Sequence, residues 1–423
     1  MPATPADMAQ FYRGLGLIVS PPPLALVGKV SYFATRSPDT TLVLASISLS
    51  NRSLTFAREG DRYRAPYEIR LRLLRGDVEA ASVNALEVVR VASFKEINRS
   101  DESVIFQHFF RVPPGTYSLS LVLRDVGGSR MTTQEAGVNV PRLGNQGFST
   151  PVVAYESAFR DNLDSVPRVL ASARSSAIFG QDSTVSIFIE GYGAGSRLPV
   201  KVTVTNDQQV KVLADSAILF RHGSIFAGTV TVPISTVGLG VARVSFSRGD
   251  AADTAGIPIF VSFGEDIPAM PFENMISYLR FFAPPFRLKA LRDASPAQRA
   301  SAWAAFLRAT DPVPDTPVNE ALQSYFGRID QANTQFVTDH NPGWLSDRGM
   351  VFVSLGEPNQ VVDRNVIQGV TRTQGGESTK IEIWDYPQYH AQLVFYEDTG
   401  HWRLTRTSEN EFWSATSRKL GQQ

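Results

Sequence analysis

The segment Asn341–Pro358, NPGWLSDRGMVFVSLGEP, crowds Gly343, Trp344, Asp347, Arg348 and Gly349 into one turn and then runs apolar to Gly356. A short apolar run bounded by turn residues reads as a buried strand, here Met350–Gly356. Everything upstream of it for some 70 residues follows a helical period, so the turn marks where a sheet begins and a last α+β domain closes. Downstream, KIEIWDY (Lys380–Tyr386), AQLVFYED (Ala391–Asp398) and HWRLTR (His401–Arg406) continue as strands, and Asp398 and Gly400 suit a hairpin turn between the last two. Gln368–Ser378 reads as a mobile loop. Trp344, Trp384, Trp402 and Trp413 fall in this small domain, which needs large side chains to bury enough area.

Upstream, Phe272–Ala283 and Ser295–Thr310 are helical, the second with Ser295 as N-cap and Pro296 in its first turn. A longer helix follows, with Thr316 and Pro317 at its start and Leu322, Tyr325, Phe326, Ile329, Ala332 and Phe336 on one face. Before residue 265 the period is two. Tyr67, Ile69, Leu71 and Leu73 alternate with Glu68, Arg70 and Arg72, the pattern of a half-buried strand. Thr41–Leu49, Ala85–Phe94, Val104–Val112 and Thr116–Asp125 behave alike. Past the linker-like stretch Pro141–Pro151, so do Ser183–Gly193, Leu198–Asn206, Ser224–Ile234, Gly240–Asp250 and Thr254–Phe263. Short strands at this spacing predict antiparallel sandwiches. The expected fold is therefore mixed: two N-terminal β-sandwich (Ig-like) domains, a helical segment and a small C-terminal α+β domain. The expected boundaries are an N-terminal segment 1–28, sandwiches 29–142 and 143–264, a helical subdomain 265–338 and the last domain 339–423.

Composition narrows the function classes. Of 423 residues, 41 are Lys or Arg and 41 are Asp or Glu, so no bulk field favours nucleic acid or an anionic membrane. The absence of cysteine removes disulfides, thiolate catalysis and Cys-ligated metal centres. No apolar run has the length of about 18 residues that a membrane helix requires. The start does not read as a signal peptide, because Asp7 precedes Arg13 and Pro21–Pro23 interrupt the apolar part. Two localisations stay open: cytoplasmic, or exported with a signal upstream of Met1.

The candidate chemistry is sparse. His108, His222, His340, His390 and His401 form no H-x-x-x-H pair, and Asp311 and Asp315 lack the spacing of a calcium loop. Gly191–Ser196 is glycine-rich but lacks the following Lys-Ser/Thr of a phosphate loop, and the two RGD triplets ending at Asp77 and Asp250 read as turns. No Gly-x-Ser-x-Gly elbow occurs. No cofactor or metal is expected. In the opening turn, Gly343 permits an unusual backbone angle and Trp344 can plug the gap beside the long helix. Ser346 and Asp347 can bond loop amides, the Asp347–Arg348 pair can anchor the turn, Gly349 permits a close approach, and His340 can cap the preceding helix.

Read together, NEALQSYFGRIDQANTQF, GWLSDRG, VFVSLGEP and IEIWDY resemble the bacterial GWxTD domain. The family pattern is Gly-Trp-any-Thr-Asp, then Arg-Gly, an apolar strand, Gly-x-Pro and a Trp-x-Tyr strand. This sequence matches at Gly343, Trp344, Asp347, Arg348, Gly349, Gly356, Pro358, Trp384 and Tyr386, and departs at Ser346, which keeps the hydroxyl. The resemblance covers about the last 150 residues. It implies no particular reaction, and it implies exported or envelope-associated bacterial proteins with protein partners. Two functions compete: a non-enzymatic envelope interaction or structural protein, in which the motif residues are structural, and a ligand-binding or hydrolytic domain with a cleft near Asp347, Arg348 and Trp384.

Overall fold

The computed structural model describes residues 11–20, 24–97, 102, 104–144, 146–179, 182–249, 254–262, 272–295, 298–313, 319–336, 339, 342–367 and 378–421. The chain divides into two compact units, Ala6–Phe272 and Glu273–Gln423. The expected division at 142/143 falls inside the first unit, and residues 264 and 265 lie outside the described residues.

The first unit is mostly β-sheet. One sheet runs Leu17–Ser20, Leu26–Ala34, Thr41–Leu49, Val104–Val112. A second is built on Arg62–Arg75, which pairs with Ala57–Glu59, Val78–Val91 and Gly115–Asp125; Met131–Val140 follows at the edge. The period-two reading holds: Tyr67, Ile69, Leu71 and Leu73 are buried and share a core with Val43, Ala45, Ile47 and Leu49 of the first sheet. Thr41–Leu49 is buried at all nine positions. Its odd residues face that core, while Leu42 and Leu44 join Phe33, Val152, Ala154, Val169 and Phe188 in another. This strand is apolar on both faces because sheets cover both.

The third sheet has ten strands, ordered from Arg168–Ala171 through Val152–Ala158, Thr184–Tyr192, Ile225–Pro233, Lys211–His222, Arg197–Asn206, Gly240–Ser247 and Thr254–Ser262 to Ser176–Ile178, with Gly147–Phe148 on Thr184–Tyr192. Pairings are antiparallel except the last, where Ser176–Ile178 runs parallel to Thr254–Ser262. The linker-like stretch 141–151 is tied into the sheets: Thr150 N–H donates to Tyr32 O at 2.9 Å, and Ser149 N–H to Glu190 O at 2.9 Å. A buried arginine adds a polar tie. Arg160 donates Nε and Nη2 to the two Glu190 oxygens at 2.8 and 2.7 Å, Nη2 to Ala34 O at 2.8 Å and Nη1 to Ser165 O at 2.6 Å. Tyr192 Oη donates to Glu190 and accepts from Ala34 N–H, both at 2.9 Å.

The second unit packs helices Pro285–Asp293, Arg299–Thr310, Glu320–Gln335, Asp347–Leu355 and Arg406–Gly421 with the four-stranded meander Gln360–Ile367, Ser378–Tyr386, Ala391–Asp398, His401–Leu404. The expected stripe of the long helix is buried at all six positions, from Leu322 to Phe336. Its cap is Asn319, whose side chain accepts from Leu322 N–H at 2.9 Å; Thr316 and Pro317 lie outside the described residues, as do Pro296, His340 and nearly all of the loop 368–378. The last hairpin turns at Thr399 (φ 49°) and Gly400 (φ 84°), both left-handed, as a two-residue turn of this kind requires.

One element assignment is corrected. Met350–Gly356 is not a strand but most of the helix Asp347–Leu355, which is buried from Val351 to Leu355. A short helix hydrophobic all round has no amphipathic period and looks like a core strand. Arg406–Gly421 and Gln360–Ile367 carried no expectation, because both are too polar for their periods to stand out.

Candidate functional site

The motif occupies a 3-10 turn, Gly343–Leu345, and the helix that follows it. Ser346 is the helix N-cap: its Oγ accepts from Gly349 N–H at 2.9 Å and donates to Gly343 O at 2.7 Å. A threonine hydroxyl would fill the same role. Gly349 cannot carry a side chain, since a Cβ there would overlap the Gly343 carbonyl oxygen. The close approach expected at Gly349 is therefore between the turn and the first helical turn, not at the start of a strand. Trp344 is fully buried, stacked on Tyr278 at 4.9 Å between centroids, with the Arg280 guanidinium 4.8 Å over its ring. Its backbone N–H donates to Asn333 of the long helix at 3.2 Å.

Asp347 and Arg348 do not pair with each other. Asp347 sits in the first helical turn, where a carboxylate meets the positive end of the helix dipole, and accepts from Leu404 N–H of the last strand at 2.7 Å. Arg348 forks onto Asp339, Nε to Oδ2 at 2.7 Å and Nη2 to Oδ1 at 2.9 Å, and gives Nη1 to Glu382 at 2.9 Å. The rings of Phe336 and Trp402 flank it at 5.2 and 4.9 Å. The other oxygen of Glu382 accepts from Trp384 Nε1, so two motif residues meet on one carboxylate.

Sequence reasoning left out Asp339 and Glu382. The second was within reach. In KIEIWDY the buried residues are Glu382, Trp384 and Tyr386, and a carboxylate on the apolar face of an alternating strand announces a buried cationic partner.

The far end of the helix is closed by side chains. Gly356 ends it with φ 90°. Arg328 donates to Val353 O at 3.1 Å, Lys419 to Ser354 O, and Tyr386 Oη to Gly356 O at 2.9 Å. These are carbonyls that a helix terminus leaves unsatisfied, and cations there oppose the dipole. Burial lowers the Lys419 ammonium to about 8, with Arg328 as a second cause, and burial also lowers Arg328. Pro358 stands in the connection to the next strand, one residue before Asn359 N–H joins Asp385 O at 2.9 Å.

The structure thus gathers Gly343, Trp344, Ser346, Asp347, Arg348 and Gly349 at the helix start, Trp384 beside Arg348 through Glu382, and Gly356, Pro358 and Tyr386 at or just beyond its end. No group of three potential metal ligands occurs among the described residues, and no described helix is long and apolar enough to cross a membrane.

Residues 249–418 match the family model described as GWxTD domain. No curated protein sequence matches the chain. Solved structures align over about half of it. The trypsin-activated alpha-2-macroglobulin from Escherichia coli is 12% identical with a TM-score of 0.20, over 56% of this chain and 17% of that one. Dimeric latent PorU from Porphyromonas gingivalis is 13% identical with a TM-score of 0.25, over 56% and 20%. This chain spans a fifth or less of either.

Proposed function

The chain carries a GWxTD domain, and on that premise we propose that it is a non-enzymatic interaction or structural protein of a bacterial cell envelope. In this reading the GWxTD unit is a rigid docking body, and the β-rich unit supplies two Ig-like sandwich modules, 29–142 and 143–264, that present edges and loops to a protein partner. The observation that carries it is the use of the motif's polar groups. Asp347 is spent on Leu404 N–H, Arg348 on Asp339 and Glu382, and Ser346 on its own helix. These bonds tie the turn, the helix and the strands together, as anchors do, and Arg348 commits Nε, Nη1 and Nη2 to Asp339 and Glu382, so none of its nitrogens is left to clamp a substrate anion.

Asp347→Asn tests this directly, because it keeps the shape and removes the charge. The expected outcome is a melting temperature lowered by several degrees, with any partner recovered from envelope fractions still bound below that temperature. A variant that melts at or above the wild-type temperature and loses a bound ligand would overturn the reading, since active-site carboxylates are often held at a cost in stability.

A further inference from the structure

The first unit holds a cleft of about 500 Å³ lined by Arg13, by residues of the strands Leu17–Ser20, Leu26–Ala34 and Met131–Val140, and by Arg243 with Gly256–Pro258. That is the size range of small-molecule sites. Its charge is one-sided. Arg13 and Arg243 line it against one carboxylate, Glu135, and Lys29 adds a cation that burial leaves only partly charged near neutral pH.

The side chains of Arg13 and Arg243 are exposed and make no ion pair or hydrogen bond among the described residues. Arg243 is nevertheless placed. Its Nη2 and Nε lie 2.9 and 3.1 Å from where a Cβ on Gly256 would stand, so the guanidinium rests on the cleft-lining strand at the position that lacks a side chain. Lys29 is 9% exposed and bonds the Ser175 hydroxyl at 2.8 Å. Burial pulls its ammonium down to about 7 although Glu102 opposes the shift, as expected of a cation in the wall without a bonded carboxylate.

We propose that this cleft binds a small anionic ligand, with the Arg13 and Arg243 guanidiniums gripping its acidic oxygens. A guanidinium fork takes carboxylate and phosphate alike in bidentate fashion, so the recognised chemistry is a pair of anionic oxygens.

The test is isothermal titration calorimetry on the full chain with two probes, inorganic phosphate and glutarate, at ionic strength held constant with sodium chloride. Saturable heat with either supports the proposal, and the tighter probe identifies the source as phosphate or carboxylate. Arg243→Gln should weaken that binding at least tenfold, and Gly256→Ala should weaken it by lifting the guanidinium off its seat. Both arginines are exposed, so the variants keep the fold, which far-UV circular dichroism confirms. No saturable heat with either probe, or equal heat in the Arg13→Gln/Arg243→Gln double variant, overturns it.

Discussion

Arg160 in the first unit and Arg348 in the second are both held by carboxylates, and they are closed in different ways. Arg160 is 1% exposed at its side chain, and Nε, Nη1 and Nη2 all have protein acceptors, on Glu190, Ala34 and Ser165. Arg348 is 14% exposed and makes three hydrogen bonds, and two aromatic rings flank it. The first is a sealed polar knot between strands and loops brought together from positions 34, 160, 165, 190 and 192. The second is a hub that joins one helix to two strands and to Phe336 and Asp339 past the end of the long helix. Only the second belongs to a motif that a reader of the sequence would single out. A motif therefore marks residues that are close in sequence, and says little about which buried charge is costlier to disturb.

The difference has a direct energetic consequence. Removing one partner of a buried ion pair strands the other, at about 3–5 kcal/mol. Arg160→Met should fall in that range, because Glu190 is fully buried and would keep only Tyr192 and backbone contacts. The sequence supplies a way to read it by unit: Trp303, Trp344, Trp384, Trp402 and Trp413 all lie beyond residue 272. Under denaturant, the far-UV circular dichroism midpoint should drop while the tryptophan fluorescence midpoint holds. If the two midpoints fall together, the units unfold as one and the comparison loses its footing.

Arg348→Met should cost less, about 2–3 kcal/mol, and this time in the tryptophan signal. Asp339 and Glu382 would each lose a charged partner, but Glu382 keeps Trp384 Nε1, and the partly open edge lets water reach both. Methionine also keeps contact with the two rings. A loss as large as that of Arg160→Met would show that the partly open edge does not relieve Asp339 and Glu382, which would then be stranded as fully as Glu190.

The same contrast governs how much could be read in advance. In the first unit the alternation at Tyr67–Leu73 specified both the strand and its buried face, since a period of two leaves no other assignment for those side chains. It could not show that Thr41–Leu49 is covered on both sides, because a strand with apolar residues on both faces records burial without recording by what. In the second unit the stripe from Leu322 to Phe336 was legible for the same reason as the strands: one wet face and one dry face. The helix Asp347–Leu355 was not, because Val351, Phe352, Val353 and Leu355 are all interior and Val and Phe favour strands. What decided for helix lies in the cap, where Ser346 answers Gly349 N–H, and in three side chains from distant positions, 328, 386 and 419, that close its far end. Of the hub, Arg348 and Trp384 were in plain view, while Asp339 was hidden in irregular chain.

A last and smaller effect sets one buried lysine of each unit against the other. Lys29 is lowered to about 7 and Lys419 to about 8, each by burial first. Both sit near 10.5 in the unfolded chain, which therefore binds more protons than the folded one between the two values. Stability must rise with pH across that window, from about 7 to 10.5 for Lys29 and about 8 to 10.5 for Lys419. From pH 7 to 8.5 the linkage is worth about 1.5 kcal/mol for Lys29 and under about 1 kcal/mol for Lys419, the latter reduced further because its side chain is partly exposed. Lys29→Met should remove the rise from the circular dichroism midpoint, and Lys419→Met the shallower rise from the tryptophan midpoint. A wild-type first unit whose stability is flat or falling over that range would mean that Lys29 is charged in the fold, with its ammonium balanced by Glu102 rather than neutralised by burial.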